Sequence, residues 1–275
     1  MKSKYFILLL IFACISSVVH GSPDPYPKRK YREHDILYRK HIVRSINLSK
    51  FDNNEIFGNS NALVEILLDA VKNGKLQPYE TPHLEKALSV DEFWERLKIQ
   101  EESDYSDYSG YWAESDIEKS AWEEVLPEAP SGETIEDQYY LPSQLFRIEY
   151  GEDLLVDKIV SDVVYDPKYI TLFIPASISP KGIHEPVASF SFYDCAKVFR
   201  ADKRAVAENP LMNGRNINFT EVFLLRLYNS YIVKLGRIDD PYFDQMYSKP
   251  MDAFMASKKA EHKVISYLYK LFNPE

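Results

Sequence analysis

The chain has 275 residues, with 42 acidic side chains against 33 basic ones and a formal net charge of −9. Such an acidic chain is a poor nucleic-acid binder unless its basic residues cluster. Two cysteines and nine scattered glycines exclude a disulfide scaffold and a Gly-rich phosphate loop.

The first 21 residues read as a secretory signal peptide. Lys2 and Lys4 precede an almost unbroken apolar run from Tyr5 to Val19, and small or modest residues lead to a cut between Gly21 and Ser22. A retained membrane helix would need about 20 apolar residues, and Ser16 and Ser17 interrupt this run. Ala13-Cys14 offers a lipoprotein anchor as a further alternative, although the bulky Phe12 and the apolar run beyond Cys14 disfavour it. Cleavage takes Lys2, Lys4 and no acid, leaving 31 bases against 42 acids, a net charge of −11. It also takes Cys14. Cys195 is then alone, with no intrachain disulfide to form, and reads as a small buried hydrophobe without a helix start or basic cluster beside it.

Residues 22–100 read as an N-terminal helical part behind a Pro-rich, basic leader, "SPDPYPKRK". Over 33–47, Ile36, Tyr38, Ile42, Val43 and Ile46 fall on one arc of about 160° at helical spacing. Asp35 and Arg39 stand four apart along it. A strand over 41–48 is the alternative, and it places Arg44 on the face of Ile42, Ile46 and Leu48. The next helix is capped by Ser60-Asn61, carries Leu63, Ile66, Leu67, Ala70 and Val71, and stops at Gly74. In "LSVDEFWERLK", Ser89 and Glu92 form a capping box ahead of Phe93, Trp94 and Leu97.

Residues 101–138 hold 13 acids and one base, Lys119, with few aliphatics. Such a stretch buries too little to offset the entropy of ordering, so it reads as an acidic, mobile linker or insertion. "DYSDYSGY" lacks the ligand spacing of a calcium loop.

The remainder, 139–275, reads as an α+β part. "QLFRIEYG" alternates Leu145, Arg147 and Glu149 with Phe146, Ile148 and Tyr150. "DKIVSDVVYDPKYITLFIPA" gives two strands split at Asp166-Pro167, and "PVASFSFYD" gives another. Four or five successive strands with short turns predict an antiparallel sheet. Eleven of the 17 residues from Phe219 to Leu235 are apolar and lie on every face of a helix, which predicts a buried helix stopped by Gly236. A last helix opens near Pro250, with Met251, Phe254, Met255, Ile265, Leu268, Tyr269 and Phe272 as its core stripe. Fold class is therefore α+β, with N-terminal helices, a central antiparallel sheet and C-terminal helices.

Catalytic and metal motifs are missing. There is no HExxH, no Cys/His cluster and no GxSxG elbow. His34, His41, His83, His184 and His262 read as surface side chains rather than metal ligands. Asp162 and Asp166 share a strand face, but carboxylate pairs arise often by chance among 42 acids. Asn47-Leu48-Ser49 and Asn218-Phe219-Thr220 match the glycosylation triplet, the second at a helix start. Eight basic residues lie in 28–50 against Glu33 and Asp35. Their regular apolar arc points to an amphipathic element with a basic side, not to a nucleic-acid arm.

"REHDILYRKHIVRSINL" followed by "ALVEILLDAVKNGKLQPY" resembles the opening of the GldN/PorN family of gliding-motility and type IX secretion components. Arg32, Glu33, Asp35, Arg39, Arg44, Ile46, Asn47 and Leu48 carry that likeness, with Asn47 where the family has an acid. "FTEVFLLRLYNSYIVK" resembles a second family segment through Phe219, Phe223, Arg226, Ser230, Tyr231, Ile232 and Lys234. The likeness spans most of 28–100 and 144–272, and departs from the family's pattern at the C-terminal "SYLYKLFNPE". It implies a periplasmic, non-enzymatic subunit without a cofactor and without a nucleic-acid partner. That subunit assembles with an outer-membrane lipoprotein of the same system into a ring-like complex, and meets the periplasmic part of the inner-membrane motor. On that footing Arg32, Arg39, Lys40 and Arg44, together with the acidic 101–138, are the interface candidates. An exported hydrolase gathering Asp162, Asp166 and a histidine, or a binding module with Tyr-rich strands, is the alternative.

Overall fold

In the computed structural model, residues 32–57, 62–99, 138–158, 162–209 and 215–272 are described. The expected signal segment with its cut at Gly21–Ser22, the Ser60-Asn61 cap and the acidic stretch 101–137 lie outside them.

After a single 3-10 turn at Glu33–Asp35, the chain enters β1, Ile36–Asn47. The helix expected over 33–47 is thus a strand. Ile36, Ile42, Val43 and Ile46 are β-branched and suit a pleated surface. The stretch pairs along its length with β2, Arg147–Asp157, on one side, and through His41 to Ser45 with β7, Tyr231–Gly236, on the other. Ile42 and Val43 point to opposite faces and both are fully buried. A strand covered on both sides loses the alternation that would have marked it.

β3, Asp162–Ile174, runs unbroken through Asp166-Pro167. A register shift opposite Gly151/Glu152 absorbs the proline, which fits the confinement of strand prolines to bulges and edges. β4 is Glu185–Ser191, and the sheet order is β4-β3-β2-β1-β7, antiparallel throughout. Tyr79 closes the outer side of β4, exchanging two 2.8 Å backbone hydrogen bonds with Ser189. β5, Val206–Glu208, and β6, Asn216–Asn218, form a separate two-stranded ribbon.

The helices are α1, Phe51–Ile56; α2, Ala62–Lys72; α3, Val90–Glu95; α4, Phe192–Ala201; α5, Phe219–Leu225; α6, Phe243–Met246; and α7, Pro250–Phe272. α2 buries the stripe read from its sequence and ends at Gly74, whose φ of +65° favours glycine. Ser89 and Glu92 form the expected capping box on α3. The strand read through "PVASFSFYD" stops at Ser191, and α4 takes over at Phe192.

The single buried helix expected over 219–235 is three pieces. α5 ends at Arg226 in the left-handed region, at φ 52° and ψ 47°, and the chain returns as β7. Apolar residues occupied every helical face because a helix and a strand had been read as one. Tyr150 of β2 meets Phe192 of α4 and Phe223 of α5 at ring distances of 5.6 and 5.2 Å, which joins these helices to one sheet face.

α7 differs from its expected packing as well. Ser257, Ala260 and Val264 are buried, with Ala260 and Val264 against Ile42, Leu154 and Ile232 and with Leu268 beside them. Met251, Phe254, Met255, Ile265 and Tyr269, expected in the core, are exposed. Small side chains at 257 and 260 let the helix axis lie close to the sheet, and closeness won over the size of the apolar group.

Candidate functional site

Residues directly opposite one another across an antiparallel ladder point to the same face. On the helix-bearing face stand Ile42, Arg44 and Ile46 of β1 and Ile148, Tyr150, Glu152 and Leu154 of β2. The other face is polar. It carries Arg39, His41, Val43 and Ser45 of β1, with Arg147, Glu149, Gly151 and Asp153 of β2. Asp166, Tyr169 and Thr171 of β3, Ser189 of β4 and Lys234 of β7 extend it. Most of these polar groups are buried, so each needs a partner.

Several partners are found across strands, while the buried Arg147 Nε has no hydrogen-bond partner among the described residues. His41 Nδ1 donates to Asp153 Oδ1 at 2.8 Å, and His41 Nε2 lies 3.1 Å from the Tyr169 hydroxyl. A Cβ built at Gly151 would clash with the Cζ, Cε1 and Cε2 atoms of the Tyr169 ring. The glycine in mid-strand is what lets Tyr169 lie across β2 and reach His41. Lys168 Nζ sits 2.5 Å from Asp166 and 3.7 Å from Asp153. Thr171 and Ser189 share a 2.8 Å hydrogen bond.

Toward β7, Glu149 is 3% exposed. It accepts a 3.0 Å hydrogen bond from the Tyr242 hydroxyl, and Arg147 lies 3.6 Å away. Burial pushes its carboxyl up to about 6, with the Arg147 charge and the Tyr242 hydrogen bond opposing. Lys234 lies over the Tyr242 ring, 4.3 Å from its centroid, and donates to the Ile238 carbonyl at 2.9 Å.

Asp153, His41 and Tyr169 have the linear order of a proton relay, but the geometry is closed. His41 is 5% exposed and Tyr169 1%. Burial raises the Tyr169 phenol, ahead of the nearby Glu149 and Asp153 charges, which disfavours the phenolate a nucleophile would need. The structure does bring Asp166 and His41 to either side of Asp153, as the hydrolase alternative required in part. Lys168 already bridges the two carboxylates. Of the Asp162 side chain nothing is described. No group of three or more His, Cys, Asp or Glu suited to a metal occurs among the described residues. His41, read as a surface side chain, is instead a core group.

The four basic interface candidates separate. Arg32 is exposed at the entry to the 3-10 turn, and Arg39 is exposed with Glu33 3.4 Å away. Lys40 is half-buried. Arg44 is committed to the fold, its Nε donating at 2.8 Å to Glu152, which is 1% exposed. Next to this pair, Arg226 places its guanidinium 3.2 Å from the Tyr165 ring centroid, a cation–π contact that its left-handed backbone allows.

Cys195 does stand one turn into a helix, α4, contrary to the reading that no helix start lies near it. Burial pushes its thiol up, ahead of the Asp194 charge, so it is an inert core residue. Asn218 is an N-cap. It accepts from the Thr220 amide at 2.9 Å and donates to the carbonyls of Phe199 and Ala205 at 2.8 and 2.9 Å.

Glu149, Asp153, Tyr169 and Tyr242 were absent from the sequence-based candidates. Their one local signal is β2 itself, where Glu149 and Asp153 alternate around a mid-strand glycine. No helix among the described residues is long and apolar enough to cross a membrane. No curated protein matches the chain. Residues 31–273 match the family described as gliding motility associated protein GldN, and the chain belongs to that family.

Proposed function

We propose that the chain is a non-enzymatic, periplasmic structural subunit of a type IX secretion or gliding apparatus. It works through protein contacts, without a cofactor. It assembles with an outer-membrane lipoprotein of the same system into a ring-like complex, and contacts the periplasmic part of the inner-membrane motor.

The family match across 31–273 carries this reading. The sheet supports it: both faces of its central strands are buried, and His41, Asp153 and Tyr169, like Glu149 and Tyr242, are engaged with one another. The basic entry to β1, with Arg32 and Arg39 exposed and Lys40 half-buried, is the proposed contact surface, and Arg44 holds that strand in place. Light scattering on residues 22–275, alone and mixed with the periplasmic part of the lipoprotein, tests it. A large assembly of defined mass is expected. A monomer that ignores the lipoprotein would overturn the reading.

A further inference from the structure

α7 has a second apolar surface that the sheet does not use. Met251, Phe254, Met255 and Ile265 are 67%, 50%, 48% and 66% exposed. At helical spacing they fall within an arc of about 100°, well round the helix from Ser257, Ala260 and Val264. Lys258 and His262 stand within that arc, Lys258 paired with Glu261 at 3.0 Å and 5.7 Å from the Phe254 ring. Lys259, Lys263 and Lys270 are exposed and form a row along one flank. From Lys249 to Lys270 there are five lysines against Asp252 and Glu261, on a chain whose net charge is −9. A surface both apolar and locally cationic suits an acidic ligand that carries aromatic rings.

The chain contains such a ligand. Residues 101–137 hold 13 acids against Lys119, with Tyr105, Tyr108, Tyr111, Trp112 and Trp122 among them. The residues on either side are tied together: Lys98 bridges Tyr139, and the Ile99 amide donates to the Gln138 carbonyl at 2.8 Å. This stem sits by β4, where Arg96 donates to the Val187 carbonyl at 3.2 Å. α7 packs by β7, at the other side of the sheet. Four strand spacings amount to about 19 Å, and half of the intervening chain spans about 60 Å when extended. Reach is not limiting, and tethering gives an effective concentration near the millimolar range, so weak contacts suffice.

We propose that the exposed face of α7 docks the acidic, aromatic segment 101–137 of the same chain. Its rings cover Met251, Phe254, Met255 and Ile265, and its carboxylates lie along Lys259, Lys263 and Lys270. This surface is distinct from the basic end of β1 and does not depend on the role in assembly.

The test uses the full chain with a benzophenone amino acid in place of Trp112, and in a second variant in place of Trp122. After irradiation, crosslinked peptides are mapped by mass spectrometry. Crosslinks into 249–272 within one copy are expected from at least one position. They should fall about fivefold or more at about 0.5 M salt, where screening is short-ranged, and again in F254D/I265D. Both substituted side chains are exposed, so that variant should keep its melting temperature, which is the control for folding. Crosslinks that land elsewhere from both positions, that persist in F254D/I265D, or that join two copies would overturn the proposal.

Discussion

The Tyr242 hydroxyl reaches the Glu149 carboxylate at 3.0 Å and ties the segment ahead of α6 to the middle of β2. Burial of that carboxylate, which the Tyr242 hydrogen bond only partly offsets, makes stability pH-dependent. Burial raises the Glu149 carboxyl from 4.5 to about 6, so the native state takes up the proton before the unfolded state does. Its contribution is fully present below about pH 4.5 and is lost as pH rises through about 6, a difference of about 2 kcal/mol. Glu149→Gln keeps an acceptor for Tyr242 and removes the titration. Denaturant unfolding at pH 4.5 and 7.5 should show wild type losing about 2 kcal/mol relative to the variant over that interval. Parallel stabilities at the two pH values would contradict the assignment.

Gly151 and Tyr169 form a lock of shape. Because a Cβ at 151 would clash with the Tyr169 ring, Gly151→Ala should destabilise by about 2–4 kcal/mol, the range of severe overpacking. Tyr169→Ala creates a cavity and frees His41, and is also costly alone. In the double variant the alanine methyl has room, so the two losses should fall short of additive by at least about 1 kcal/mol. A thermodynamic cycle from denaturant unfolding measures the coupling. Strict additivity would mean that the backbone shifts to accept the methyl group.

Arg39 and Arg44 are five residues apart in one strand and should behave oppositely. Arg44→Ala leaves the Glu152 carboxylate buried without its 2.8 Å partner, a loss of about 3–5 kcal/mol. Arg39 is exposed and only 3.4 Å from the exposed Glu33, so Arg39→Ala should stay within about 0.5 kcal/mol. Thermal unfolding of the two variants decides it. A destabilised Arg39→Ala would remove that residue from the list of contacts available to a partner.

Local signals were legible and long-range ones were not. The Ser89–Glu92 capping box spans three residues, and the α2 stripe needs only its own helix, so both could be read directly. The α+β class followed from the strand-rich run over 144–191. β1 was misread because its apolar residues serve both faces of a central strand, which imitates a helical arc. The polar face was invisible because His41 meets Asp153 and Tyr169 across 112 and 128 residues. α7 was turned the wrong way because Ser257 and Ala260 face the sheet, and patterning alone assigns the core to the larger Met251, Phe254 and Ile265.

Asn218 shows how a motif that suggests modification can instead be a fold element. Its Oδ1 accepts from Thr220, its backbone amide donates to Glu221 at 3.3 Å, and its Nδ2 binds two carbonyls, from Phe199 and Ala205. Glycosylation would replace one of the two hydrogens on that nitrogen and cost at least one of its hydrogen bonds. Asn218→Asp should preserve the cap and lose only the carbonyl contacts, now facing a repelling carboxylate. Asn218→Ala loses both sets, and a cost of about 2–3 kcal/mol follows from one cap and two partly buried hydrogen bonds. Asn218→Ser should recover about 1 kcal/mol of this, since it restores the cap alone. Unfolding of the three variants separates the two roles. Equal stabilities for Ala and Ser would show that the cap contributes nothing and that the Phe199 and Ala205 carbonyls account for the whole effect.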